Sequence, residues 1–136
     1  MSSEINNDLN KKYLESYTEE AKKYDKQRWK NPKGLFAKNQ RNRFFFEILK
    51  KYNLIAPEKK IIDVASGTGR VALELVTFGY QKVVAVDLTN AMLDVSRSKL
   101  PEQYKNNLEY HIEDMKKLPF ESNTFDGATL GAFLYL

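Results

Sequence analysis

The sequence predicts an α/β domain built on a mostly parallel sheet with flanking helices, and three observations carry that prediction. Lys60 to Ala65 and Lys82 to Asp87 are unbroken apolar runs apart from Asp63 and the terminal charges, the pattern of strands covered on both faces. The segments after them repeat apolar residues at three- and four-residue spacing, the helical period. The resulting order of strand, helix, strand, helix, strand and strand requires right-handed crossovers.

Met1 to Asn10 reads as a frayed lead-in. From about Lys11 to Lys30, Tyr13, Tyr17, Ala21 and Tyr24 form one helical face, and Asn31-Pro32-Lys33-Gly34 is expected to break it. A second helix is expected over roughly Phe36 to Tyr52, with Phe45, Ile48, Leu49 and Tyr52 on its buried side. The first strand follows Pro57. The helix after it carries Val71, Ala72, Leu75 and Val76 and stops near Gly79, a residue suited to a helix C-terminus. After the second strand, Thr89 is placed to cap a helix through its side-chain oxygen. Met92, Leu93 and Leu100 line that helix, and Pro101 ends it. Leu108, Tyr110 and Ile112 alternate with polar residues, as in a half-buried edge strand, and Phe125 to Leu136 is a last apolar stretch.

A chain of 136 residues suits one domain, long enough to bury a core but short for a complete α/β enzyme. The division expected is an N-terminal helical cap over 1–34 and a sheet domain over 35–136. No run of about 18 apolar residues indicates a transmembrane helix. The polar N-terminus argues against a secretory signal. The absence of cysteine removes disulfides and thiolate metal sites, in keeping with the cytoplasm, and no metal site is expected. The net charge of +4 hides a cluster, Lys22, Lys23, Lys26, Arg28, Lys30, Lys33, Lys38, Arg41 and Arg43. That cluster would suit RNA or another acidic partner, although a solvated helical face is the preferred reading.

The richest stretch is Ile61 to Arg70, where an apolar strand ends in an acid, passes a turn with two glycines and opens a helix. Such a turn lets backbone N–H groups face a bound small molecule. Gly67-Thr68-Gly69-Arg70-Val71-Ala72 satisfies the dinucleotide pattern G-x-G-x-x-G/A, and Asp87 lies 20 residues beyond Gly67. An acid at the end of the second strand can accept both hydroxyls of a ribose, so these features indicate a ribose-bearing ligand without choosing NAD(P).

The phrase Asp63-Val64-Ala65-Ser66-Gly67-Thr68-Gly69 resembles motif I, D/E-x-G-x-G-x-G, of class I S-adenosylmethionine-dependent methyltransferases. The resemblance continues in register through Val86-Asp87-Leu88, Ala91-Met92-Leu93, Glu113-Asp114-Met115, Leu118-Pro119-Phe120 and Phe125-Asp126. Tyr24-Asp25 is similar to a pair in the N-terminal helix of these enzymes. The match spans about Ile61 to Leu136 and implies a Rossmann-like fold, S-adenosylmethionine as cofactor and methyl transfer as the activity. Ala65 departs from the motif's first glycine, and alanine there resembles the subgroup that methylates quinone precursors.

The resemblance also implies roles. Gly67 and Gly69 would let the backbone approach the methionine part of the cofactor. Asp63 would order the turn or contact the amino group, and Asp87 would take the ribose. Leu88 and Met92 would flank the adenine, with helix core the other role open to Met92. Asp114 would receive the adenine amino group and Met115 would offer backbone contacts. Leu130 and Gly131 would close the pocket near the sulfonium. No general base can be assigned. Tyr24 is expected to pack rather than close as a lid, His111 to be structural, and Trp29 to anchor a helix end.

Members of this family continue for three more strands, so the chain reads as truncated after about the fourth strand. A truncated chain, a naturally shortened product and one part of a larger assembly are the explanations. The apolar fourth strand would then be an edge open to self-association or partner pairing. Two functions follow: the cofactor half of a methyltransferase acting on a small molecule, with RNA or protein as other acceptors, or a non-catalytic cofactor- or partner-binding fragment. An NAD(P)-binding domain is the third reading.

Overall fold

The computed structural model describes residues 11–12, 14–21, 23–24, 26 and 32–130. Within it four parallel strands, β1 (Lys60–Val64), β2 (Lys82–Asp87), β3 (Leu108–Ile112) and β4 (Gly127–Thr129), lie in the order β3-β2-β1-β4. Helices α1 (Pro32–Lys51), α2 (Arg70–Phe78) and α3 (Asn90–Lys99) accompany them, with a 3₁₀ turn at Glu102–Tyr104.

Alternation along the central strands explains why the two runs lack polar residues. Ile61, Val83 and Ala85 point to one face, where they pack with Leu49 of α1 and Ala72, Leu75 and Val76 of α2. Ile62, Val84 and Val86 point to the other face, against Leu118, Phe120 and Phe125. Both sets are buried, so the residues of the two runs are apolar except Asp63, whose carboxyl is hydrogen-bonded within the fold.

Topology assigns the two coverings. The steps from β1 to β2 to β3 move in one direction across the sheet, so right-handed crossovers put α2 and α3 on the same face. The return from β3 past β2 and β1 to β4 reverses direction and sends residues 113–126 over the opposite face. Leu118-Pro119-Phe120 and Phe125 are therefore the cover of that second face. Phe120 stands edge-on to Phe125 at 5.1 Å between ring centroids. The reversal also makes a crevice outside the carboxyl ends of β1 and β4, where open α/β sheets bind ligands.

Several expectations change. The segment Pro32-Lys33-Gly34 forms the first turn of α1, so this helix begins before the Phe36 expected; a proline is tolerated there because its missing N–H would be unbonded. The buried face of α1 is Phe45, Phe46 and Leu49, while Ile48 and Tyr52 are exposed together with Phe44. Phe46 stacks on Phe78 of α2 at 4.3 Å, and that contact sets the rotation of α1. Gly79 ends α2 with φ 128°, its N–H donating to Leu75 and Val76 carbonyls. Thr89 occupies the N-cap position of α3 without a side-chain capping bond. Its hydroxyl donates to Asp87 instead.

The described residues between 11 and 26 are helical, with Ala21 buried and Tyr17 and Tyr24 half-buried. Met1 to Asn10, Tyr13, Trp29 and residues 131–136 lie outside the described residues. No helix among the described residues is long and apolar enough to cross a membrane.

Candidate cofactor site

The site grows from the ends of β1 and β2. Asp63 lies within β1 and is buried. Its Oδ1 accepts the Thr129 hydroxyl at 2.6 Å, and its Oδ2 accepts the Ala72 backbone N–H at 3.2 Å. Ala72 is the third residue of α2, whose cap residue Gly69 has no side chain to offer. Asp63 therefore satisfies one of the free N–H groups that every helix N-terminus leaves. Burial pushes the Asp63 carboxyl up from 3.8 to about 7. The Thr129 and Ala72 hydrogen bonds oppose the shift, Asp87 adds to it, and Arg41 opposes it. One side chain thus ties β1, β4 and α2 together.

Beyond Val64 the chain alternates in the left-handed region: Ala65 at φ 53°, Gly67 at 56° and Gly69 at 79°. The two glycines serve different needs. A Cβ on Gly69 would lie 1.8 Å from Ser96 Oγ and 2.7 Å from Ser96 Cβ, so its bareness admits α3 rather than a ligand. A Cβ on Gly67 would meet nothing within 4 Å. Open space thus remains over the turn at Gly67 alone, which revises the expectation that both glycines clear the way for the cofactor.

Asp87 closes the turn from the side. Its Oδ2 accepts the Gly67 N–H at 2.8 Å, and its Oδ1 accepts the Thr89 N–H at 3.0 Å and hydroxyl at 2.9 Å. A carboxylate offers about four acceptor positions, so these bonds leave one. Unlike Asp63, the residue is half-buried and reaches the surface.

Around it the carboxyl edge of the sheet is apolar and exposed. Leu88, Ile112, Met115 and Leu130 expose 45, 52, 36 and 41% of their surfaces, and all follow or end strands of the sheet. Asp114 is exposed in the loop after β3, where its Oδ1 accepts the Lys116 N–H at 2.9 Å. Met92 is not at this edge; it is 1% exposed, inside the core beside Leu93. His111 pairs with Glu109 at 2.6 Å and stands edge-on to Phe120, a packing role. Gly131 lies outside the described residues. Sequence reading had no means of finding Thr129 and assigned Thr89 a different task. Ile112 was visible only as a strand residue. Among the described residues no group of three or more His, Cys, Asp or Glu side chains is placed to hold a metal.

Residues 61–136, more than half of the chain, match the family model described as a methyltransferase domain. The chain belongs to this methyltransferase family. It is 38% identical over 80 residues to a demethylmenaquinone methyltransferase of Symbiobacterium thermophilum, an alignment covering 55% of this chain and 31% of that protein. A Bacillus halodurans structure described as a candidate methyltransferase aligns at 33% identity with a TM-score of 0.50, covering 60% of this chain and 36% of the other. Magnesium protoporphyrin IX methyltransferase from Synechocystis, solved with bound S-adenosylhomocysteine, shares the fold at TM-score 0.55 and 18% identity, over 70% of this chain and 42% of that one. The chain spans about a third of the length of the curated relatives it matches.

Membership of a methyltransferase family implies S-adenosylmethionine as the cofactor. The residues present fit it: open space at Gly67, a half-buried acceptor in Asp87, and exposed apolar side chains for a flat base.

Proposed function

We propose that this methyltransferase-family chain acts in methyl transfer by forming the cofactor-binding part of the site. The observation that carries the reading is Asp87, half-buried and held by Gly67 and Thr89, with an acceptor position left beside the open glycine of the turn. In this reading Asp87 accepts a ribose hydroxyl at its remaining acceptor position. Leu88, Ile112 and Met115 cover the adenine, Asp114 receives its amino group, and Leu130 borders the reacting end. Asp63, Gly69 and Met92 act from behind, holding the turn in place.

When bound, S-adenosylmethionine supplies a methyl group on a positively charged sulfur, leaving as a neutral thioether. The chain's contribution is positional. Asp87 anchors the middle of the molecule, the exposed apolar residues bind one end, and the turn orients the other. Holding the reacting atoms in line accounts for much of the catalysis such a transfer needs. A base is required only when the acceptor must lose a proton.

For the acceptor we infer a small molecule, with a quinone precursor favoured by the name of the Symbiobacterium relative and by Ala65. The lack of cysteine favours the cytoplasm. Residues 1–34 fit a helical cap. Strand β4 pairs with β1 alone among the described strands, which favours self-association or a partner along its other side. The second reading is a cofactor-binding chain without its own activity.

Calorimetric titration with S-adenosylhomocysteine and with NAD tests the cofactor site. We expect binding of the first only. Asp87→Ala should weaken it by roughly tenfold to a hundredfold through loss of hydrogen bonds to a charged acceptor. Unchanged affinity would place the ribose elsewhere. Transfer of labelled methyl to a demethylated quinone precursor separates the two readings, because the non-catalytic chain would bind and transfer nothing.

A further inference from the structure

The amino ends of β1 and β2 form the rim of the sheet opposite the cofactor site, and their charges do not cancel. Lys60 opens β1, Lys82 opens β2, and the two stand in register on adjacent strands. Strand alternation sends both side chains to the face that carries Ile62 and Val84. Neighbouring strands lie about 4.8 Å apart, so two ammonium groups leaving them side by side repel. Among the described residues no ion pair relieves either of them. Asp126 accepts the Lys60 backbone N–H at 2.8 Å and the Lys59 ammonium at 3.5 Å, and Lys82 reaches it only as a longer-range charge. Glu109 pairs with His111 at 2.6 Å. Lys60 lays its ammonium 5.1 Å from the centroid of the Phe125 ring, against the cover of that face.

The same two lysines line a groove of about 370 Å³, together with Lys105, Asn106 and Glu109 around the start of β3. Its three ammonium groups outweigh its one carboxylate, and that surplus suits a ligand with more than one negative charge. The volume lies within the range of small-molecule sites. Glu102, which holds Lys105 at 2.5 Å, and Glu109 border the basic patch. The patch is therefore local, unlike the continuous positive track that a nucleic-acid strand follows. From Lys82 to Asp87 the strand rises about 16 Å, so a ligand in the groove lies apart from the cofactor site.

We propose that this groove binds the diphosphate group of a small molecule, with one phosphate between Lys60 and Lys82 and the other toward Lys105. Phosphate oxygens are acceptors that several ammonium donors share, and each phosphate brings its own charge. A shared anion turns the repulsion between the paired lysines into a common attraction. The site uses none of the cofactor residues, so it stands or falls independently of the cofactor reading.

The probe is pyrophosphate, titrated into the isotope-labelled 136-residue chain at constant ionic strength and followed by backbone amide NMR shifts. We expect saturable shifts at residues 60, 82–84 and 105–109, and none at 65–69 or 87–89, with a dissociation constant of about 1 mM. Inorganic phosphate should bind about fivefold more weakly, and methyl diphosphate as well as the free ion. Lys82→Gln and Lys60→Gln should each weaken pyrophosphate about fivefold or more, whereas Lys82→Arg, which keeps the charge, should retain it. Without ligand, Lys82→Gln should melt no lower than the parent, because it removes one of two like charges. Pyrophosphate should raise the melting temperature of the parent and not of this variant. Shifts spread evenly over lysines outside the groove, such as Lys50 and Lys51, would overturn the proposal, as would equal affinity of parent and Lys82→Gln. Equal binding of phosphate and pyrophosphate would overturn the diphosphate, and loss of methyl diphosphate binding would overturn the small-molecule ester. Tighter binding of a short single-stranded RNA than of pyrophosphate would make the groove part of a nucleic-acid surface instead.

Discussion

The ends of β1 and β2 each present an aspartate to the same turn, yet the two acids do opposite work. Asp63 faces inward, and its described hydrogen bonds go to Thr129 and Ala72 of its own fold. Asp87 also binds protein donors, Gly67 and Thr89, but keeps its carboxylate at the surface. The difference follows from position along the strands. Asp63 pairs in register with Ala85 and Thr129, between two neighbours, whereas Asp87 is the last residue of β2, level with Ile112 at the sheet's edge. The same side chain is thus a structural tie one step inside the sheet and, in the proposed function, a ligand acceptor at its rim. The two glycines of the turn divide in the same way, Gly69 toward packing and Gly67 toward the open side.

The strongest attack on this contrast is Gly69→Ala. It combines a left-handed backbone with a 1.8 Å approach to Ser96, and we expect a loss of about 3 kcal/mol or more by denaturant unfolding. Adding Ser96→Gly should recover the steric part. A Gly69→Ala chain of parental stability but without S-adenosylhomocysteine binding would return this glycine to the ligand.

Asp63→Ala strands the Thr129 hydroxyl and the Ala72 N–H in the interior, at a cost of about 2 to 3 kcal/mol. Asp87→Ala should cost clearly less stability while losing more affinity. Equal effects of both variants on both measurements would erase the distinction between tie and acceptor.

Acidity sharpens the comparison further. The folded chain holds a proton on Asp63 up to about pH 7, whereas the unfolded chain releases it near 3.8. Between those values the native state binds more protons, so this group's contribution to stability is greatest below about pH 4, falls as pH rises through 7, and is level above. Stability curves of the parent and Asp63→Asn from pH 4 to 8 should differ by that slope. Parallel curves would mean that Asp63 is ionised in the native chain throughout.

The smallest effect belongs to Ala65, a residue with a Cβ at φ 53°. Ala65→Gly should stabilise the turn by up to about 1 kcal/mol, offset in part by the greater freedom of glycine when unfolded. A loss of stability would show that the alanine methyl makes a contact worth more than its strain.

Much of this was legible beforehand, for local reasons. The apolar runs mark β1 and β2 because both of their faces are covered, and Gly79 and Pro101 mark helix ends because glycine takes the positive φ of a helix end and proline does not continue a helix. The rotation of α1 was not legible. Phe44, Phe45, Phe46, Ile48 and Tyr52 offer more than one apolar stripe, and the stacking of Phe46 on Phe78 chooses between them.

The sequence by itself determined the order of strands along the chain, the glycine turn and the acid near the end of each of the first two strands, since those depend on neighbours within a few residues. Tertiary structure alone decided which acid is sealed and which glycine is crowded. Those outcomes depend on Thr129 and Ser96, which lie 66 residues from Asp63 and 27 from Gly69 along the chain and reach them only when β4 and α3 are in place.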